Sequence, residues 1–394
     1  MAPRSIVVWS GSLPLLNYGD VAMLQVAVRC LKGCFPKHRI RVFTRRPELL
    51  ARYCPQAEAL DSAKIRLGFC DGLRTYVRAV VEGRAADRQQ ARQLIAETDA
   101  VVAAGGGYIN DHFPTEATRI MNELRIAASR GIPIAMFSQG LGPATQPEIL
   151  CHAKRLFPRL SLLALRESVR GPRLAAQWGA RESQLVVTGD DAIASAYERR
   201  PAALGAHIGL GIRISEYSGV THKQAEEITH SLPQPLLPVA ISRFPHESDE
   251  AALSQLLGFP SHSDSPESVM EAVGRCRVVV AGSYHAAVFA LAQGIPAVGL
   301  AANEYYHGKM EGLTGQFGPG VKVVRLDLPG YRERLACAVQ DLWDAAPNLR
   351  DGLLASARCQ IARSQKAYSG FANRLTGQSG PSRCEPARFD KMAS

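Results

Sequence analysis

Most of the signatures that identify large enzyme classes are missing from these 394 residues. There is no G-x-G-x-x-G fingerprint for a dinucleotide, no Walker A loop, no D-x-D metal motif, no G-x-S-x-G elbow and no H-E-x-x-H zinc site. Dehydrogenase, P-loop and metalloprotease chemistry are set aside on that ground, and no metal ligand set is expected. The nine cysteines are odd in number and contain no C-x-x-C pair. Cys30 and Cys34 have the spacing of one helix face, but without a second pair the pattern fits buried thiols in a reducing compartment better than a zinc site or a disulfide frame. The N-terminal "MAPRSIVVWSGSLPLLN" is broken by Gly and Pro. It is too short for a membrane span and lacks a signal-peptide core and cleavage site, and no N-x-S/T sequon occurs. The expectation is a cytoplasmic protein, with peripheral contact to an anionic membrane surface left open.

What is present is length, positive charge and a regular alternation of elements. The chain is long for one core and comfortable for two domains. A formal net charge of +10 suggests anionic company such as phosphate esters, acidic glycans or lipid head groups. The basic residues are spread out, and no RNA-reading motif or zinc-finger spacing accompanies them, so nucleic acid is not expected as a partner. Oligomeric state is not legible.

Short β-branched runs alternate with helical patterns, the signature of a parallel sheet covered by helices. The first set is "SIVVWS", "RIRVFT", "DAVVAAGG", "IPIAMFSQG", "SLLALRE" and "QLVVTGD". After the linker-like "ERRPAALGA" comes a second set, "HIGLGIR", "LLPVAIS", "RVVVAGS", "IPAVGL" and "VKVVRL". The expected organisation is an α/β protein with an N-terminal domain over 1–200, a second over 201–330, C-terminal helices over 331–375 and a disordered tail over 376–394. "RTYVRAVVEGRAADRQQARQLIAE" reads as a charged amphipathic helix.

In open α/β sheets ligands collect at the carboxyl ends of strands, so strand-end polar residues are the site candidates. The first strand runs into "NYGDVAMLQVAVRCL", where Val21, Leu24, Val28 and Leu31 recur at helical spacing. Gly19 permits the turn, and Asp20 is a natural N-cap; alternatively, Asn17 and Asp20 bond a sugar there. "GGGYIND" offers Gly106 and Gly107 for close backbone approach to an anion. "SQGLGP" offers Gln139 as a neutral hydrogen-bonding group. "GLGIR" brings Arg213 to a strand end, where it is either a fork for carboxylate or phosphate or the partner of a surface carboxylate. "SRFPHESDE" gathers Arg243, His246 and Asp249 in a loop that reads as mostly solvated. In "SYHAAVFALAQG", His285 falls in the first turn of an apolar helix, where unpaired N–H groups and the helix dipole favour phosphate. Lys309 follows the next strand and is expected in the same crevice.

Taken in order, "NYGDVAMLQ", "GGGYIND", "SQGLGP", "LRES", "TGDDAI", "GLGIR" and "SYHAAVFALAQGIPAVGL" with a lysine after it resemble the polysaccharide pyruvyl transferase family, over residues 5–330. The resemblance implies two Rossmann-like domains of the glycosyltransferase B type facing across a cleft, and phosphoenolpyruvate as donor co-substrate with no separate cofactor. The acceptor it implies is a glycan or lipid-linked sugar of the kind made for exopolysaccharide and cell envelope. It makes His285 the proton-transfer residue, gives carboxylate and phosphate to Arg213 and Lys309, and turns Asn17, Gly19 and Asp20 toward the acceptor. One departure is visible. Where the family usually carries arginine, two residues before the histidine, this chain has Ser283 followed by Tyr284, and Arg243 is the candidate substitute. Two other functions fit the same residues: a B-type glycosyltransferase using a nucleotide sugar, and a glycan-binding member without catalysis.

Overall fold

The structure, a computed structural model, describes residues 4–62 and 85–377. In chain order the first half contains β1 (Ser5–Trp9), α1 (Tyr18–Cys34), β2 (Arg39–Thr44), α2 (Pro47–Tyr53), β3 (Ala57–Asp61), α3 (Ala85–Glu97), β4 (Thr98–Ala103), β5 (Gly106–Ile109) and α4 (Pro114–Ser129). It continues with β6 (Ile134–Leu141), α5 (Pro147–Leu156), β7 (Leu162–Leu165), α6 (Gly171–Gln177), β8 (Leu185–Val187) and α7 (Ala192–Glu198). The second half contains β9 (His207–Gly211), α8 (His222–Ser231), β10 (Leu236–Pro238), α9 (Asp249–Leu257), α10 (Pro266–Gly274), β11 (Cys276–Ala281) and α11 (Tyr284–Ala292). It ends with β12 (Ala297–Ala301), α12 (Glu304–Phe317), β13 (Val321–Arg325) and α13 (Tyr331–Thr376).

All eleven strands expected from the sequence are present. The two it missed are β3, whose edge position leaves it half exposed, and β5, which lies inside the stretch read as a glycine turn. The first sheet has the order β3-β2-β1-β4-β6-β7-β8 with β5 beside β6, and the second β10-β9-β11-β12-β13. Every pairing is parallel. Strands such as β1, β6 and β12 are buried along their whole length because helices cover both faces, which is why they read as unbroken apolar runs. The amphipathic stretch expected over residues 74–97 lies outside the described residues up to 84 and is helical from Ala85; the tail expected over 376–394 lies outside them after Gly377.

Two features position the site. In each sheet the strand order reverses beside the first strand, between β1 and β4 and between β9 and β11, and crevices open at such points beyond the carboxyl ends of the strands. The two crevices face each other, held by a short backbone ladder: Tyr18 donates to the Ile241 carbonyl at 2.9 Å and Arg243 to the Leu16 carbonyl at 2.8 Å. The second feature is helical. All nine residues of α11 are buried, as an all-round apolar helix requires, and one apolar core runs through α1, α7, α11 and α13 from one sheet to the other. The C-terminal region is a single 46-residue helix, α13, rather than several, and it packs on elements of both halves.

Candidate active site

A cavity of about 470 Å³ lies between the two crevices. From the first half it is lined by Asn17 and Asp20 after β1, Gly107 and Tyr108 of β5, and Arg166 after β7. From the second come Arg213 after β9, Ser283, Tyr284 and His285 at the start of α11, and Tyr305, Tyr306 and Lys309 of α12. A narrow annex carries Arg166, Tyr284 and Lys309 inward, walled by Gly107, Gly140, Gly142 and Gly308.

The α1 terminus differs in detail from the expectation. The N-cap is Asn17, not Asp20: its Oδ1 accepts the Gly19 and Asp20 N–H groups at 3.0 and 3.2 Å, so α1 begins three residues earlier than a cap at Asp20 would place it. Asp20 is thereby released from capping and stands in the first turn, facing the cavity. Burial pushes its carboxyl up, opposed by the nearby His285 and Arg166 charges. Gly19 does not turn a side toward the cavity; a Cβ there would overlap the His285 ring, so the glycine is what lets α1 and α11 meet.

His285 is buried but not sealed. Its ring lies on the cavity wall, its Nε2 is 3.6 Å from Asp190 Oδ2, and at that distance neither atom has a hydrogen-bond partner among the described residues. The α11 N-cap, Ser283, makes no side-chain capping bond, which leaves the first N–H groups of α11 uncapped beside the ring. Asp190 follows β8. Burial raises its carboxyl, but His285, Arg166 and the Ala192 N–H outweigh that and hold it below the usual carboxylate range.

Arg166 is the cation the sequence reasoning did not assign. It is 4 % exposed, its guanidinium carbon sits 4.1 Å from the centre of the Tyr284 ring, and its Nη1 is 3.6 Å from Asp190. A Cβ at Gly107 or Gly140 would come within 2.7 or 2.6 Å of its nitrogens, so both glycines make room for it. Among the described residues its side chain donates no hydrogen bond. Lys309 has its ammonium 3.9 Å from the centre of the Tyr305 ring, and burial together with Arg166 and Arg213 lowers it well below the usual lysine range. Both "LRES" and "TGDDAI" end strands, so the strand-end rule that singled out Arg213 applied equally to Arg166 and Asp190.

Several expected residues fall elsewhere. Gln139 is buried behind the strands, donating to the Ala104 and Phe137 carbonyls at 2.9 and 2.7 Å, and does not line the cavity. Gly106 packs under the Tyr108 ring; only Gly107 of the pair reaches the cavity wall. Arg243, the candidate substitute for the missing arginine, does not line the cavity: it donates to the Tyr18 hydroxyl at 3.0 Å and approaches Glu250 at 3.8 Å. His246 lines the mouth, but Asp249 is not solvated; it is 1 % exposed and accepts both arms of Arg213 at 2.5 and 2.9 Å.

A family model described as "Polysaccharide pyruvyl transferase" matches residues 17–304. No curated protein matches. Among solved structures the chain is similar to Staphylococcus aureus MnaA with UDP, at 13 % identity and TM-score 0.59, covering 96 % of this chain and 99 % of that one. It is also similar to a UDP-GlcNAc 2-epimerase from Neisseria meningitidis bound to UDP-GlcNAc (9 %, TM-score 0.55, 95 % and 99 %) and a glycosyltransferase from Rickettsia africae (10 %, TM-score 0.55, 95 % and 100 %). At these identities the likeness is one of fold, the two Rossmann-like halves of the glycosyltransferase B type.

Proposed function

Since this chain belongs to the polysaccharide pyruvyl transferase family, it is a transferase, and we propose that it moves pyruvate from phosphoenolpyruvate, as a ketal, onto a sugar of a glycan or lipid-linked glycan. The observation that carries the proposal is the pairing of the Arg166 guanidinium and the Lys309 amine, which an entering anion would hold in its charged form, with an imidazole at an uncapped helix N-terminus on one cavity wall. The donor has a carboxylate, a phosphate and a methylene carbon that must take a proton. Arg166 and Lys309 suit the two anionic groups, the α11 N–H groups assist, and His285 suits the proton donor.

The balance of the reaction follows. Protonated His285 gives its proton to the methylene carbon, which becomes a methyl, and C2 becomes an oxocarbenium stabilised by its phosphate-ester oxygen. A sugar hydroxyl oxygen bonds to C2 and its proton passes to a base, Asp20 or the now neutral imidazole. The C2–O bond to phosphate then breaks, with cations meeting the developing charge. A second hydroxyl bonds to C2, closing the ketal; of the two hydroxyl protons, one restores the acid and the other leaves on phosphate. No separate cofactor enters. Asn17 stands beside Asp20 and suits the acceptor. Charge and the anionic donor fit a cytoplasmic protein, in contact with a membrane surface where the acceptor is lipid-linked.

A thermal-shift panel tests the donor. Phosphoenolpyruvate in hundredfold excess over its dissociation constant stabilises a folded binder by about 2.7 kcal/mol, which several degrees of Tm would register. The expected result is stabilisation by phosphoenolpyruvate that His285→Gln largely retains while losing turnover. Stabilisation by UDP or GDP without any by phosphoenolpyruvate would overturn the proposal in favour of a nucleotide-sugar donor.

A further inference from the structure

The long C-terminal helix touches the active site only indirectly, yet a row of its buried polar residues faces the turn that carries Asp190. Gln360, Ser364 and Tyr368 recur every four residues, which aligns them on one face, and all three are buried. They meet the turn between β8 and α7. Gly189, at φ +93°, lies so close to Gln360 that a Cβ would come within 3.0 Å of its Cβ and Cδ. Two residues on, Asp191 accepts the Ser364 hydroxyl on Oδ1 and the Tyr368 hydroxyl on Oδ2, each at 2.7 Å. The Asp191 N–H donates to Ser138 Oγ at 2.9 Å, and the Tyr368 ring is stacked on Phe137 at 3.8 Å.

Asp190 and Asp191 are neighbours pointing opposite ways from one turn. Asp190 presents Oδ2 to His285 and Arg166, and Asp191 presents both oxygens to α13. A turn fastened on one side cannot shift on the other. Apolar contact would have joined helix and turn with less cost, since a buried carboxylate has to be satisfied by donors. The same α13 packs on α11, which carries His285, and on β11 and β13 of the second sheet. It therefore bears on both members of the His285–Asp190 pair.

We propose that Asp191, Ser364 and Tyr368 are positioning residues, through which α13 fixes the Asp190 carboxylate opposite His285. This rests on the assignment of proton transfer to His285, and the test is chosen so that the two can fail separately. The charged or titratable groups around the His285 ring are Asp20 from α1, Arg166 after β7, Asp190 after β8, Tyr284 of its own helix and Lys309 from α12. Of the carboxylates Asp190 is nearest, with Oδ2 3.6 Å from Nε2. If the turn loosens, that approach is lost, and proton transfer slows while donor binding holds.

The variant is Ser364→Ala with Tyr368→Phe, which keeps the ring on Phe137. Expected are a fall in kcat on the order of ten- to a hundredfold and a KM for phosphoenolpyruvate within about threefold of the parent. Asp190→Asn should lower kcat in the same way, and the triple variant should be no worse than Asp190→Asn alone, as coupled groups are not additive. A readout free of turnover is the position of the His285 ring signals in nuclear magnetic resonance, assigned by His285→Gln. They should move in the double variant and in Asp190→Asn. Unmoved ring signals beside a lowered Tm, or effects that add to Asp190→Asn, would overturn the inference. Tyr368→Phe alone, which removes one hydroxyl, gives the smaller change if the double variant folds poorly. Should the parent protein fail to turn over phosphoenolpyruvate, the functional reading falls while the ring signals still decide this one.

Discussion

The two halves of the molecule each send an arginine from a strand end into the same cavity, and the two have become different things. Arg166 and Arg213 are both 4 % exposed. Arg213 forks Asp249 and donates Nη1 to the Tyr217 hydroxyl at 2.6 Å; Asp249 in turn accepts the Ile241 and Ser242 N–H groups at 3.0 and 2.9 Å. Its charge is neutralised within its own half, and it joins the end of β9 to the first residue of α9. Arg166 lies on the face of Tyr284 from the opposite half, with Asp190 at 3.6 Å and its N–H groups toward the annex. Location in the fold is common to both, and partners set them apart: Arg213 is forked by hydrogen bonds, whereas Arg166, held by a ring face and glycines, keeps its N–H groups unused among the described residues, as the proposed donor site requires.

The largest expected effect separates them. Arg166→Met should weaken phosphoenolpyruvate binding by about 3 to 4 kcal/mol, several hundredfold, by calorimetry, because charge-assisted bonds to a buried guanidinium are the strong ones. Its Tm should fall as well, because Asp190 loses a buried cation at 3.6 Å, but by less than in Arg213→Met, whose arginine is hydrogen-bonded to its carboxylate. Unchanged binding in this variant would erase the distinction between the two arginines.

Arg213→Met should show the opposite profile, with a somewhat smaller effect. Removing it leaves Asp249 buried beside two N–H donors without its cation, and breaking a buried pair from one side costs about 3 kcal/mol. The expected result is a Tm lower by several degrees, with less than a tenfold change in phosphoenolpyruvate affinity of the folded protein. A loss of affinity equal to that of Arg166→Met would mean that Arg213 meets the donor despite its fork.

The contrast also marks what could be read from the sequence. Strand runs and their order were legible because parallel strands buried on both faces are unbroken apolar stretches, and strand ends then located His285, Arg213 and Lys309. Which strand-end residue is satisfied by what was not legible. Arg213 and Asp249 are 36 residues apart, and Asp191 finds its partners 173 and 177 residues away. Asn17 and Asp20 are both good caps, and only the start of α1 decides that Asn17 caps and Asp20 faces the cavity. Beyond the close backbone approach that the sequence suggests at Gly106 and Gly107, the structure shows that each makes room for a side chain, Tyr108 and Arg166, while Gly107 stays on the cavity wall.

The smallest effect bears on the third arginine. Arg243 was the sequence's candidate for the cation absent at Ser283, and its backbone is part of the ladder between the halves, donating to Leu16. Its side chain is partly exposed, bonded to the Tyr18 hydroxyl and near Glu250, and an ion pair so placed contributes about 0 to 1 kcal/mol. Arg243→Ala keeps the backbone bond and removes only these contacts. Phosphoenolpyruvate affinity should therefore stay within about threefold of the parent by calorimetry, and Tm should fall by no more than a degree or two. A tenfold loss of affinity would mean that the cavity closes further on the donor, bringing Arg243 inward, and that the cation missing from α11 comes from its own half after all. A null effect beside a large one at Arg166 would mean instead that the charge has crossed the cleft, so that the donor can be gripped only when both halves face each other.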